Sequence, residues 1–320
     1  MPIDTQWQPS YVAMARSGTL AERADRLEQL LSDCTLCPRE CRVDRHSELG
    51  TCSTGAAPVV ASHNPHFGEE PPISGRRGSG TVFLANCNLS CVFCQNHDIS
   101  QRPRDFAARA GTGHDLARMF LDLRQYGCHN INWVSPTHQV PQLVRALDDA
   151  AAEGLDIPIV YNTNGYDSVE VLQLLDGVVD IYMPDLKYAD AATGERLSGV
   201  PDYPQRARAA LAEMHRQVGD TWQLGRDGEL QRGLLVRLLV LPDGLAGIDD
   251  NLRWIARNLS PRVTISLLAQ YRPANRVTGS RHLELQRGIS SEEWTSAVTS
   301  LRTHMHGRHH HVQGSVRLLL

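Results

Sequence analysis

From residue 80 onward the chain alternates short apolar runs with amphipathic stretches, and that alternation leaves few architectures open. The runs are TVFLA (81–85), INWV (131–134), IPIVY (157–161), VVDIYM (178–183), LLVRLLVL (234–241) and VTISLLA (263–269). After the first run, Leu116, Met119, Phe120 and Leu123 recur at helical spacing, with Thr112 and Asp115 suited to a capping box. Val140, Leu143, Val144 and Leu147 repeat the spacing after the second run, and further helices are expected near 168–176, 203–217, 249–258 and 291–304. Strands separated by helices predict an α/β fold with a parallel sheet and right-handed crossovers. Periodicity leaves an open doubly wound sheet and a partial or complete barrel both admissible. In either, ligands gather at the C-terminal ends of the strands.

Cysteine placement narrows the chemistry. Seven of the eight cysteines fall between residues 34 and 94, as Cys34, Cys37, Cys41 and Cys52, then Cys87, Cys91 and Cys94. Spacings this short, in a chain whose N-terminus lacks a basic segment followed by an apolar one, point to metal rather than disulfides. Cytoplasm is the expected location. The formal net charge of −4 gives no electrostatic reason to expect nucleic acid as a partner. No apolar window approaches the ~18 residues of a membrane span.

The string CNLSCVFCQN places a C-x3-C-x2-C group on the loop directly after the first run. Three thiolates hold three irons of a cubane and leave the fourth without a protein ligand, the open position a reactive centre needs. A zinc site or three merely buried cysteines fit this string poorly, because no fourth ligand is at hand.

With Phe93 as the aromatic before Cys94, the group resembles the signature of the radical S-adenosylmethionine (SAM) superfamily. The wider string EEPPISGRRGSGTVFLANCNLSCVFCQNHDIS is similar to uncharacterised relatives of pyruvate formate-lyase activating enzymes, over roughly residues 34–295. The resemblance implies a partial (β/α)6 barrel of the radical SAM type and a [4Fe-4S] cluster on Cys87, Cys91 and Cys94. It also implies SAM as cosubstrate and a 5′-deoxyadenosyl radical that abstracts hydrogen, making the chain an oxidoreductase-like enzyme. Expected partners are SAM, an electron donor such as flavodoxin or ferredoxin, and a protein or small-molecule substrate. Activation of a glycyl-radical enzyme is one version of that chemistry.

The resemblance also marks out a SAM pocket. Activating enzymes hold the SAM amino group with Gly-Gly-Glu after the second strand; here Ser135, Pro136, Thr137 and His138 stand in that place. Backbone carbonyls, Thr137 or His138 are the candidate acceptors, and Thr137 equally suits a helix cap. YNTNGY (161–166) brings Asn162, Thr163 and Asn164 toward the ribose or carboxylate of SAM, or else makes an Asn-Gly turn. MPDLKY (183–188) puts Asp185 and Lys187 on one face, Lys187 for a SAM carboxylate and Asp185 for a cation or ribose, or the two as a surface ion pair. Arg237, costly to bury alone, needs SAM or a barrel carboxylate. Tyr271 and Arg272 are candidates to face substrate.

Upstream, Cys34, Cys37, Cys41 and Cys52 supply enough thiolates for a closed tetrahedral module holding zinc or a second iron–sulfur cluster. The expected organisation is a helical segment at 1–33, the four-cysteine module and linker at 34–79, the barrel at 80–304 and a His-rich tail at 305–320. Leu20, Leu27, Leu30 and Leu31 mark the first helix, and the Pro/Gly-rich stretch from His63 to Gly80 reads as loop. Cys128 reads as a buried small hydrophobe, His63 and His66 as structural, and the tail histidines His304, His306, His309, His310 and His311 as solvated. An alternative of a different class is a non-catalytic iron–sulfur protein that carries electrons or senses redox state.

Overall fold

All six apolar runs become strands, as their β-branched and leucine content between turn signals dictates. The computed structural model describes residues 7–277, 279, 282–307 and 311–313. Its strands are β1 Val60–His66, β2 Ser79–Leu84, β3 Ile131–Val134, β4 Ile159–Thr163, β5 Ile181–Pro184, β6 Gln223–Leu224, β7 Leu230–Leu239, β8 Thr264–Leu268 and β9 His311–Gln313. They pair in the order β1-β2-β3-β4-β5-β7-β8-β9, with β6 added antiparallel to β7. Every pairing from β2 through β9 along that path is parallel. Among the described residues, no helix is long and apolar enough to cross a membrane.

The crossovers are helical. In chain order the described helices longer than four residues are α1 Ser10–Ser17, α2 Thr19–Gln29, α3 Gly113–Gln125, α4 Val140–Ala152, α5 Val169–Leu174, α6 Ala191–Ser198, α7 Tyr203–Val218, α8 Ile248–Asn258 and α9 Ser291–His304. The Asp115 N–H donates to Thr112 Oγ1 at 3.1 Å and the Thr112 N–H returns to Asp115 Oδ2 at 2.9 Å, so the expected capping box starts α3. Val140, Leu143, Val144 and Leu147 are fully buried, the stripe by which α4 faces the sheet and α2.

Two segments depart from the sequence reading. Residues 63–66, expected as loop, belong to strand β1, because β1 lies at the sheet edge, antiparallel to β2, where Pro65 is tolerated despite its missing N–H. At the other end, within the expected His-rich tail, His311–Gln313 pair in parallel with β8. His309 and His310 fall outside the described residues, while His304 Nε2 meets Asp249 Oδ1 at 2.9 Å. Cys128 is buried in the core beneath β2 and β3, as expected.

Curvature of the sheet shows in what its strands touch. Asn132 of β3 and Asn162 of β4 donate to Glu69, while Arg237 of β7 bonds Glu69 and Glu70 and Ser266 of β8 donates to Glu70. Laid flat, β3 and β8 would stand four strand spacings apart, about 19 Å. Here both reach one pair of adjacent carboxylates, so the sheet curls around them.

Asp180, just before β5, is buried with Oδ2 accepting the Ile159 N–H at 2.9 Å, and burial raises its pKa to about 8. Between the usual carboxylate range near ~4 and that value, the folded chain keeps a proton that the unfolded chain has lost. This group's contribution therefore falls as pH rises through that window. Asp180→Asn should flatten the decline in melting temperature from acid to mildly alkaline pH; an unchanged slope would contradict the account.

Candidate functional site

The loop after β2 is built to hold three sulfurs. Asn86 takes φ 70°, a left-handed turn that asparagine tolerates, and its amide donates to Ser53 O (3.1 Å) and Thr54 Oγ1 (3.0 Å). Each sulfur then meets a short polar donor. Cys87 Sγ accepts from the Leu89 N–H and from Asn164 Nδ2, both at 3.4 Å; Cys91 Sγ accepts from Ser198 Oγ at 3.1 Å; Cys94 Sγ lies 3.2 Å from Ser100 Oγ. Burial pushes the Cys87 thiol up to about 12, and the charges of Cys91 and Cys94 push in the same direction. Three thiolates here are thus stable only beside a cation, and the donors are already aimed at them.

Beside these sulfurs a cavity opens at the C-terminal ends of β5, β7 and β8. Cys91, Cys94, Asp185, Lys187 and Arg237 supply its polar wall, and Phe93, Leu239, Leu241 and Leu268 its apolar one. Phe93 is buried edge-on to Tyr188 and Tyr271, with ring centroids at 6.4 and 6.0 Å. Lys187 Nζ pairs with Asp185 Oδ2 at 2.5 Å. Burial works against the Lys187 charge, but Asp185 and then Cys91 outweigh it and hold the pKa above the usual lysine value. The Tyr203 hydroxyl fixes the strand ends, donating toward Asn164 O (2.8 Å) and Asp185 O (3.1 Å) and accepting the Lys187 N–H (2.9 Å). Gly165 completes this junction: it sits at φ 82°, and a Cβ there would lie 2.3 Å from Asp185 O.

Below the cavity, Arg237 Nε donates to Glu70 Oε1 at 2.9 Å and Nη2 to Glu70 Oε2 at 2.6 Å, with Glu69 as a further partner. Burial opposes the Arg237 charge, yet Glu69 and Glu70 raise its pKa. Burial likewise opposes ionisation of Glu70, and Arg237 overcomes it to lower that pKa. Arg237 therefore has carboxylate partners, though from the turn after β1 rather than from within residues 80–304, and it still lines the cavity.

The structure gathers the other expected residues unevenly. Asn164 stands against Cys87 and Asn88, while Asn162 points into the Glu69–Arg237 network. Ser135 turns the chain at φ 56°. Thr137 and His138 do not line the cavity. The Thr137 hydroxyl donates to buried Asp167 at 2.7 Å, alongside Thr163 and Tyr161, and His138 Nε2 meets Ala85 O at 2.9 Å. Burial lowers the His138 pKa to about 4, so its ring is neutral and unsuited to titrate near pH 7. These side chains serve the join between strands because they start a helix whose first turn is buried. The Tyr271 hydroxyl is likewise committed, donating to Leu285 O at 2.6 Å, and Arg272 is exposed.

Sequence reasoning missed Ser100 and Ser198 as donors to the sulfurs, since isolated serines carry no pattern. It also missed Asn88, although the residue sits inside the cysteine string.

The residues present fit a cubane cluster. The three sulfurs are close enough for their charges to interact, and two of them, on Cys91 and Cys94, border the cavity. Among the described residues no three His, Cys, Asp or Glu side chains converge on a single ion, and a multi-iron centre asks for no such convergence, since each cysteine binds its own iron.

Glu70→Ala would leave buried Arg237 short of its bidentate partner. The variant should lose about 3 kcal/mol of stability in chemical denaturation, against a small change for exposed Glu40→Ala; equal effects would contradict the network's role.

Comparison with known proteins follows the same lines. The radical SAM superfamily matches residues 81–222. The chain is 30% identical over 281 residues to the uncharacterized protein MJ0674 of Methanocaldococcus jannaschii, covering 85% of this chain and 75% of that protein. In solved structures it is similar to one described as TYW1 with a lysine-pyruvate adduct bound, at a TM-score of 0.41 and 11% identity, covering 70% of this chain and 74% of that one.

Proposed function

Because the chain belongs to the radical SAM superfamily, we propose that its Cys87, Cys91 and Cys94 hold a [4Fe-4S] cluster in an enzyme that opens SAM reductively. The carrying observation is the single cavity shared by Cys91, Cys94, Lys187 and Asp185 at the strand ends. The curled sheet around Glu69 and Glu70 supports reading the fold as a partial (β/α)6 barrel. When bound, the cluster supplies the electron for reductive cleavage of SAM and so starts hydrogen abstraction from a substrate.

This chain's residues do the holding. Lys187, kept charged by Asp185, would bind the SAM carboxylate, and Asp185 would take the ribose or the ammonium. Asn164 would orient Cys87 through its 3.4 Å contact. Phe93, Leu239, Leu241 and Leu268 would exclude water from the reacting centre. Thr137 and His138, whose side chains are engaged elsewhere, leave the SAM ammonium to Asp185 and to backbone carbonyls near Ser135. Kinship with pyruvate formate-lyase activating enzymes, with a glycyl-radical protein as the substrate and flavodoxin or ferredoxin as the electron donor, is a finer reading that rests on the sequence strings alone.

The test is anaerobic incubation with dithionite and SAM, read as 5′-deoxyadenosine. The wild-type chain should form it, and Cys91→Ala should form none. Lys187→Met should raise the KM for SAM about tenfold, the worth of one charge-assisted bond. No product from a wild-type chain with an intact cluster would favour the electron-carrier reading instead.

A further inference from the structure

The four upstream cysteines have no part in that chemistry. Residues 30–58 contain neither helix nor strand, and a segment of that length without regular structure needs something to hold it. Disulfides do not: all four thiols are free, with Cys34, Cys37 and Cys52 buried and Cys41 half-buried.

The backbone instead aims amides at sulfur. Glu40 and Arg42 take φ of 40° and 58°, turning the chain sharply on either side of Cys41, and Ser53 takes φ 57° directly after Cys52. The amide two residues downstream donates to the sulfur at Cys34 (Leu36), Cys37 (Arg39) and Cys41 (Val43). The same arrangement recurs at Cys87 with Leu89 and at Cys94 with Asn96. Buried Arg45 adds a further donor, with Nη1 at 3.7 Å from Cys34 Sγ. Four sulfurs with donors aimed at them, on a segment without regular structure, form a candidate ligand set for a metal ion.

The sulfurs are grouped tightly. Cys34 and Cys41 share a hydrogen bond, and Cys37 is near enough to Cys52 and Cys34 for their charges to interact. A Cβ on Gly50 would sit 3.3 Å from Cys52 Sγ and 3.5 Å from Cys41 Sγ. A single tetrahedral ion with bonds of about 2.3 Å holds its thiolates about 3.8 Å apart, whereas a cubane spreads them much further. The contact between Cys34 and Cys41 matches the single ion. No three of these groups converge as they stand among the described residues, so closure asks for side-chain rotation.

The module also abuts the cluster loop. Cys37 bonds the Asn88 side chain, and Asn88 Oδ1 lies 3.8 Å from Cys87 Sγ. Arg39 Nε donates to Asn88 O at 3.0 Å, and Arg45 Nη2 to His138 O at 3.2 Å. We infer that Cys34, Cys37, Cys41 and Cys52 bind one zinc ion in a closed tetrahedral site, and that this site holds the backbone around Asn86–Asn88 in place for Cys87.

Metal analysis of the full chain, produced with both zinc and iron and purified without oxygen, tests this. The expected content is about one zinc beside about four irons. The Cys87→Ser/Cys91→Ser/Cys94→Ser variant should lose its iron and keep its zinc, which separates this site from the SAM chemistry above. In that variant, stripping zinc with a chelator should speed amide exchange at residues 86–89 about tenfold relative to β4 and β5. Should the variant fail to fold, the wild-type metal count decides. A wild-type chain with about eight irons and no zinc, or with four alkylatable upstream thiols and no second metal, would overturn the site. Unchanged exchange at 86–89 after stripping would overturn the link to the loop.

Discussion

A sulfur anion buried in protein is costly unless positive charge and N–H or O–H groups surround it, and much of this structure answers that cost. The Cys87–Cys94 loop leaves β2 through a left-handed asparagine, and its sulfurs meet Leu89 within the loop, Ser100 just after it, Asn164 after β4 and Ser198 at the end of α6. Those donors are in place only because β4, α6 and the loop after β2 are correctly registered. The parallel sheet thus matters for function mainly as a frame that delivers distant short side chains to one point.

A second cost lies beneath the first. Arg237 sits in an otherwise apolar strand and would be prohibitive there alone. The Glu69–Glu70 pair, delivered by the turn after β1, answers it and at the same time ties Asn132, Asn162 and Ser266 into one network. The guanidinium keeps a face on the cavity while its charge is already matched. A ligand arriving there meets an oriented dipole pair rather than a bare cation, whereas Lys187 is better placed to bind an anionic group.

Much of this was legible in the sequence, for reasons that differ by element. The apolar runs at 131–134 and 263–269 became strands nearly residue for residue, since buried parallel strands leave little room for polar interruption. The capping box at Thr112 was readable because its signal is local. Strand β1 was not, since a Pro- and His-containing edge strand looks like loop until its partner is known. Asp185, Lys187 and Asn164 were expected from their strand-end positions; the first two line the cavity and Asn164 stands against Cys87. Thr137 and His138 were expected at the cavity from position alone, but burial of that helical turn directs their side chains to Asp167 and Ala85. Ser198 was invisible, because only tertiary structure brings it to Cys91, 107 positions away in sequence.

The central claim is that the loop sulfurs hold a cluster with an iron left open to SAM. Electron paramagnetic resonance of the reduced protein, with and without SAM, tests it most directly. The account predicts a [4Fe-4S]+ signal whose shape changes when SAM binds, and whose loss accompanies Cys91→Ala. A cluster signal that saturating SAM leaves untouched, or one that survives Cys91→Ala unaltered, would contradict it.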